Sequence, residues 1–279
     1  MRKIDAFAHV LPPGYREHLE RHLAGTMRPD RLRYYQQGVF GFDPVITDLD
    51  ARFRLMDRHG DYAQVLVLAV PPLEEVGPPH AAAELARRAN DEMADLVRRL
   101  PERFVGFAAA LPLGDVEASL AEIDHAVGEL GALGVQVFSN VRGAPLDDPR
   151  FDPILARMEA LDRMIWLHPT RDAVWPDYAT ERESDFGIWW SLGRPHETAA
   201  DFSRLVSSGE MDRHPRDSAA GVARASAAMF VEPHIRDRST STSHPGADGS
   251  KPCSTSQRIA IRLRHDHHAR MTSRSTSVP

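Results

Sequence analysis

The sequence contains a single cysteine, Cys253, among its 279 residues, so it has no disulfide framework. It also lacks any apolar run of about 18 residues, the length that a membrane-spanning helix requires. No signal-peptide core follows Met1, because Arg2 and Lys3 lead directly into a short strand-like segment. The formal net charge of -6 argues against nucleic acid as the main partner. These absences predict a cytoplasmic protein that binds neither membranes nor nucleic acids.

The last part of the sequence has few of the residues that build a core. Residues 216–279 contain one Leu, one Phe and no Trp or Tyr. They carry nine Arg and one Lys against five Asp or Glu, a charge of +5, which leaves -11 on residues 1–215. Such a composition does not support packed structure. We therefore predict a folded unit over 1–215 and a low-complexity, irregular or disordered tail over 216–279.

Residues 1–215 alternate between short apolar runs and longer amphipathic segments. This alternation predicts an α/β fold with a parallel sheet and right-handed crossovers. The predicted strands cover residues 3–9, 64–70, 104–109, 135–138 and 165–167. The predicted helices cover residues 15–23, 48–59, 80–100, 115–130, 152–161 and 196–207, and Thr47 is the predicted N-cap of the second. A chain of 279 residues is long enough for a closed (β/α)8 barrel, but five units are too few to complete one.

Two of the predicted strands carry a histidine near their end and are closed by proline. The segments are Ile4–Pro12, with His9, and Met164–Pro169, with His168. Ligands of α/β enzymes bind at the carboxyl ends of parallel strands. His9 and His168 are therefore candidate residues of a site at this rim, with buried core imidazoles as the alternative. Asn140, after the fourth strand, either faces the same site or caps a turn.

Several collinear segments together resemble the amidohydrolase-related family that includes aminocarboxymuconate-semialdehyde decarboxylase and the resorcylate-type decarboxylases. They span about three quarters of the chain, and the set is more specific than any one segment. The segments are Ile4-Asp5 to Pro12, Asp50 to Leu68, Arg103-Phe104-Val105-Gly106-Phe107-Ala108, Gly134 to Gly143, Pro145-Leu146-Asp147-Asp148-Pro149, Leu167-His168-Pro169 and Gly193-Arg194-Pro195-His196-Glu197-Thr198.

The resemblance implies a distorted (β/α)8 TIM-type barrel, incomplete here, with one divalent metal ion, zinc or manganese. In the family, two ligands lie two residues apart on strand one, a histidine follows strand five and an aspartate follows strand eight. His9 and His168 match two of these positions, but Phe7 stands at the first one. No residue matches the aspartate or the catalytic histidine that follows strand six. Because Phe7 and His9 share one face of the strand, Phe7 is either a wall of the substrate pocket or part of the core.

The implied activity is metal-dependent, non-oxidative decarboxylation of a carboxylated aromatic or muconate-type acid. The alternatives are a metal-dependent hydrolase on the same barrel and a truncated, catalytically inactive barrel fragment. The expected partner is a small-molecule carboxylate. Arg31 and Arg33 either clamp it or, the favoured interpretation, are solvated surface charges. The strand edges of an incomplete barrel predict self-association into a homo-oligomer. The abrupt change in composition after Pro215 suggests that the tail arose by a reading-frame slip.

Overall fold

Short strands and helices alternate along the computed structural model, which describes residues 2–27, 32, 35 and 44–214. The strands are β1 (Lys3–Val10), β2 (Tyr62–Leu68), β3 (Phe104–Ala110), β4 (Gly134–Phe138), β5 (Asn140–Val141), β6 (Ala144–Pro145) and β7 (Met164–His168). Five of them form a parallel sheet in the order β1-β2-β3-β4-β7, and β5 and β6 form a small antiparallel hairpin. The predicted parallel α/β architecture is confirmed.

Helices connect the strands of the sheet in sequence. They are α1 (Pro13–Thr26), α2 (Leu49–Asp57), α3 (Pro79–Arg99), α4 (Val116–Ile123), α5 (Asp152–Ala160), α6 (Arg194–Ser207) and α7 (Glu210–Arg213). Helix α4 continues as a π-helical segment over Asp124–Glu129, and a second one, Trp189–Gly193, leads into α6. Single 3-10 turns cover Pro44–Ile46, Leu73–Glu75 and Pro149–Phe151.

The parallel sheet is strongly curled, as contacts between its two outer strands, β1 and β7, show. In a flat sheet the first and fifth strands would lie about 19 Å apart, at about 4.8 Å per strand. The ring centroids of His9 on β1 and His168 on β7 are nevertheless 5.0 Å apart. The indole Nε1 of Trp166 on β7 donates a hydrogen bond to the carbonyl oxygen of Ala6 on β1 at 2.8 Å. The described residues therefore form half of a barrel, which confirms the expected incomplete (β/α)8-type fold.

The alternating residues of the strands divide between two apolar clusters. Leu66 and Leu68 of β2 belong to the large core that the helices share with the sheet. Val65 and Val67 belong to a smaller cluster, together with Phe7. Because both faces of the strand are buried, its sequence is a continuous apolar run instead of an alternating one. Phe7 and His9 lie on the same face of β1, so the smaller cluster is the inner layer beneath the histidine pair.

The N-terminus of helix α2 differs from the sequence expectation. The sequence predicts Thr47 as its N-cap, but the structure gives that role to the side chain of Asp48. This carboxylate accepts hydrogen bonds from the backbone N–H groups of Asp50 and Ala51, at 2.8 and 3.2 Å. Thr and Asp are both favoured N-cap residues, so the local sequence offered two starts.

Several sequence predictions fall outside the described residues. Among them are the candidate clamps Arg31 and Arg33 and the whole tail over 216–279, so the division into two regions stays a prediction. In the described part of the chain, no helix has both the length and the apolar character needed to span a membrane. The cytoplasmic location and the homo-oligomer also stay predictions.

The buried side chain of Asn90 joins helix α3 to the end of β3. Its Oδ1 accepts a hydrogen bond from the N–H of Ala110 at 2.8 Å, and its Nδ2 donates to the carbonyl oxygen of Ala110 at 2.9 Å. The same Nδ2 donates to Oε1 of Glu122 at 2.7 Å. Since a buried polar group without a partner costs about 1–3 kcal/mol, this amide fixes the carboxyl end of β3 at the rim of the half-barrel.

We expect Asn90→Ala to lower the free energy of unfolding by about 3 kcal/mol, because the backbone of Ala110 and the carboxylate of Glu122 lose buried partners. Urea denaturation followed by circular dichroism measures the change. The control is Glu84→Ala, at an exposed position of the same helix, which should stay within about 0.5 kcal/mol of the parent. Equal stabilities of the two variants would contradict the structural role of Asn90.

Glu74, in the loop that follows β2, is a buried carboxyl group. It is 3% exposed, and neither of its carboxylate oxygens has a hydrogen-bond partner in the described part of the protein. Burial raises the pKa of this carboxyl from its usual value of 4.5 to about 7. The folded protein therefore holds a proton on Glu74 at pH values at which the unfolded chain has lost it.

The stability that comes from protonated Glu74 should be present below about pH 4.5 and disappear as the pH rises through about 7, because the folded-state pKa exceeds the unfolded one. Each pKa unit corresponds to about 1.4 kcal/mol. We expect Glu74→Gln, a neutral isostere, to be more stable than the parent at pH 8 and to lose this advantage at pH 5. Urea denaturation at both pH values measures the difference. A matching pH dependence in the exposed Glu84→Gln control would mean that Glu74 is not its source.

Candidate metal centre

The curl of the sheet brings the two predicted metal ligands together at the carboxyl ends of β1 and β7. The imidazole rings of His9 and His168 lie at a centroid distance of 5.0 Å, with their planes at 68°. His168 is buried, and His9 is partly buried. The backbone pairing of β7 with β4 places Phe138 beside His168, and the two rings are 5.0 Å apart. The sequence thus predicted which two histidines would meet.

Both imidazoles are neutral at pH 7 and have ring nitrogens available for a metal ion. Burial lowers the pKa of His9 to about 4 and that of His168 well below its usual range, and the positive charge of Arg194 acts on both in the same direction. Nδ1 of His168 donates to the carbonyl oxygen of Pro169 at 2.7 Å, which leaves the lone pair on Nε2. In the described structure, Nδ1 of His9 is shut off from solvent without a hydrogen-bond partner.

The backbone of His9 is held by Arg52, a buried residue of helix α2 that the sequence analysis did not single out. The Arg52 guanidinium donates to the His9 carbonyl oxygen, to Oε1 of Gln64 at 2.8 Å and to the carbonyl oxygen of Val45 at 2.9 Å. A buried guanidinium with several acceptors fixes the groups around it. Arg52 therefore anchors the last residues of β1, which include His9.

Phe7 occupies the position at which the family resemblance implies a ligand. Its ring lies 5.5 Å from the ring of His9 and 5.9 Å from that of His168. It also packs in the inner apolar cluster. Phe7 therefore belongs to the inner core of the half-barrel, and its role as a wall of the substrate pocket stays a prediction.

The two imidazoles fit a zinc or manganese ion as part of its ligand set. Neutral imidazole suits such ions, and an isolated, buried Nδ1 on His9 is a nitrogen that the surrounding protein leaves unused. A catalytic ion takes about three protein ligands, and the hydrocarbon ring of Phe7 cannot provide one. Within the described residues, no third His, Cys, Asp or Glu joins this pair within 4.8 Å.

Arg194, the first residue of helix α6, supplies positive charge to the histidine pair. Its guanidinium packs over the rings of Trp189 and Trp190, at 5.5 and 4.5 Å from their centroids, and its Nε donates to the carbonyl oxygen of Arg171 at 3.1 Å. Its positive charge lowers the pKa of both imidazoles. Its segment carries the family resemblance, but nothing in the local sequence distinguished this arginine from a solvated one.

Asn140, the predicted pocket residue, is engaged in a network inside the protein. Its Oδ1 accepts from the N–H of Gly143 at 2.9 Å, and its Nδ2 donates to Oε1 of Glu197 at 2.7 Å. Glu197 also accepts from Oγ1 of Thr170 at 2.7 Å and from the N–H of Arg171 at 2.6 Å. These contacts favour the turn-forming interpretation of Asn140. They also identify Glu197, which the sequence analysis missed, as the residue that ties the loops after β4 and β7 to helix α6.

The chain resembles known proteins over the region that contains this site. The sequence profile of the amidohydrolase family matches residues 4–217. The 2-amino-3-carboxymuconate-6-semialdehyde decarboxylase of Dictyostelium discoideum is 29% identical over 221 residues, which cover 76% of this chain and 60% of the relative. The gamma-resorcylate decarboxylase of Rhizobium radiobacter is 38% identical over 177 residues, which cover 60% of this chain and 52% of the relative.

A solved structure agrees with these sequence matches. The 5-carboxyvanillate decarboxylase of Novosphingobium aromaticivorans, complexed with manganese and 4-hydroxy-3-methoxy-5-nitrobenzoic acid, superimposes with a TM-score of 0.65 and 26% identity, covering 77% of this chain and 63% of that one. The chain spans between about half and three fifths of the length of the two curated relatives. Since the family profile covers about three quarters of its residues, the chain belongs to the amidohydrolase family.

Proposed function

We propose that the folded unit over residues 1–215 is a metal-dependent decarboxylase of small aromatic carboxylic acids. The observation that carries the proposal is the pair of neutral imidazoles, His9 and His168, 5.0 Å apart at the strand ends of the half-barrel, with one buried ring nitrogen unused. The relatives support the reaction class, because their names describe decarboxylases and one structure contains manganese.

His9 and His168 would hold the ion through their neutral ring nitrogens. When bound there, a divalent ion supplies a positive charge that polarises substrate oxygens. The protein prepares the pair for this role by burial, since the low pKa of each imidazole keeps it unprotonated at pH 7. The hydrogen bond from His168 to Pro169 fixes the orientation of that ring.

The surroundings of the pair suit an aromatic carboxylate. The rings of Phe7 and Phe138 form an apolar wall against which an aromatic substrate can pack and which excludes water. The positive charge of Arg194 attracts the carboxylate group toward the rim. A flat anion is therefore held between an apolar side and a cationic side.

Decarboxylation breaks the bond between the ring carbon and the carboxyl carbon. Carbon dioxide leaves, the bonding electron pair stays on the ring carbon, and a proton from an acid must replace the carboxyl group. In the family a further catalytic histidine follows strand six, and no residue of this sequence matches it. The missing histidine and the apolar Phe7 at a ligand position favour a second candidate function. In that case the chain is a barrel fragment that binds ligands but does not catalyse their reaction.

Metal binding and product formation test the proposal together. We expect manganese to bind the purified full chain, and His168→Ala to bind one ion fewer per chain, because the pair loses one of its two nitrogens. The control is His80→Ala, at an exposed helix end. Release of carbon dioxide from gamma-resorcylate should occur in the parent and the control, and disappear in His168→Ala. Metal binding that depends on His168 without any carbon dioxide release would support the inactive fragment instead.

We expect Phe7→Glu to bind manganese at least about tenfold more tightly than the parent, a gain of about 1.4 kcal/mol, because a carboxylate would then adjoin both imidazoles. Isothermal titration calorimetry measures the affinity, and circular dichroism confirms that the variant is folded. The control Phe7→Leu keeps the position apolar and should leave the affinity unchanged. Equal affinities for the Glu and Leu variants would show that Phe7 does not occupy a ligand position.

A further inference from the structure

A second cluster of metal-binding side chains lies on the helices, apart from the histidines at the strand ends. Asp152 begins helix α5, Glu210 begins helix α7, and His214 follows the end of α7. One ligand-type atom from each of these residues lies within 4.8 Å of the other two. Nε2 of His214 is 3.1 Å from Oδ1 of Asp152 and 3.9 Å from Oε2 of Glu210. Metal–ligand distances of about 2.0–2.2 Å allow ligand atoms to be up to about 4.4 Å apart, so both separations suit a shared ion.

The carboxylate of Glu210 is buried, and one of its oxygens has no hydrogen-bond partner among the described residues. Its side chain is 5% exposed, so it is desolvated. Arg213 contacts Oε1, whereas Oε2 is buried and has no hydrogen-bond partner in the described residues. Burying a carboxylate oxygen without a partner costs free energy. The unused oxygen is the one that faces His214 and the centre of the cluster.

A neighbouring carboxylate orients the imidazole toward the same point. Nδ1 of His214 donates to Oε2 of Glu159 at 3.0 Å, and Nε2 donates to Oδ1 of Asp152 at 3.1 Å. A metal ion bound at Nε2 would take the place of that proton, between Asp152 and Glu210. Histidines that bind metals commonly donate their other ring N–H to a carboxylate in this way. The arrangement thus contains both a set of ligands and the group that holds one of them in place.

The charge of the cluster also suits a divalent cation. Asp152, Glu159 and Glu210 contribute three negative charges, and Arg213 is the permanent positive charge that contacts two of them. The carboxylates of Asp152 and Glu210 make the centre of the cluster suitable for a cation, and Oε2 of Glu210 has no hydrogen bond to a described residue.

We propose that Asp152, Glu210 and His214 form a divalent-cation site of the zinc or manganese class that ties helix α7 to helix α5. One imidazole nitrogen with two carboxylates suits these ions better than calcium or magnesium, which favour oxygen alone. The ligands belong to different helices, so the ion acts as a structural cross-link. The site is independent of the histidine pair at the strand ends and of the proposed decarboxylation.

Zinc titration of the full chain tests this site, with isothermal titration calorimetry as the readout. All variants are made in a His168→Ala background, which removes the other centre. We expect one specific binding event that His214→Ala and Glu210→Gln abolish and that Glu159→Gln weakens by about 10- to 100-fold. Glu210→Gln keeps the shape of the side chain, so it tests the ligand even if His214→Ala fails to fold.

His125→Ala is the matched control. The ring nitrogens of His125 also contact two carboxylates, Nε2 with Oδ1 of Asp91 and Nδ1 with Oε2 of Glu129, at 2.8 Å each. Both carboxylates are substantially exposed, and neither has a buried oxygen without a hydrogen-bond partner. Histidines of the tail are common to all variants, so only the difference between the His214 and His125 variants reports on the cluster. Saturating zinc should also raise the Tm of the parent but not of Glu210→Gln. Equal binding and equal Tm shifts in the Glu210 and His125 variants would overturn the proposal.

Discussion

The contact between the first and the last strand of the sheet determines where every part of the proposed site lies. It depends on an irregularity in β1, which pairs with β2 before and after residues 6 and 7 but not at them. Asp5 satisfies the freed N–H of Phe7, and the indole of Trp166 satisfies the freed carbonyl of Ala6. Because these buried groups need partners, the curl and the contact between strands stabilise each other. His9 is thereby brought within reach of β7.

Burial gives the histidine pair its chemical character. A solvated imidazole is protonated over part of the physiological pH range, whereas His9 and His168 are kept neutral by desolvation and by the nearby charge of Arg194. The aromatic ring of Phe7 contributes to this desolvation without offering a ligand. The packing of Phe7 therefore keeps the two imidazoles neutral, but it also occupies a position at which a third ligand could stand.

Helix α6 connects the site to the rest of the rim. Glu197, in its first turn, accepts hydrogen bonds from residues that follow both β4 and β7. A carboxylate is favourable in this first turn because of the helix dipole. Arg194 precedes it by three residues, so the first turn of one helix both orders the loops and directs positive charge at the imidazoles.

The sequence by itself determined the strands, the helices and the identity of the two histidines that meet, because these follow from local periodicity and from proline at the ends of strands. It also indicated the family and the unusual Phe7. Only the tertiary structure decided which partners the polar side chains found, such as Arg52 with the His9 carbonyl or Glu197 with Asn140. Such pairs are distant in sequence and depend on how helices pack on a curled sheet, so the local pattern carries no signal of them.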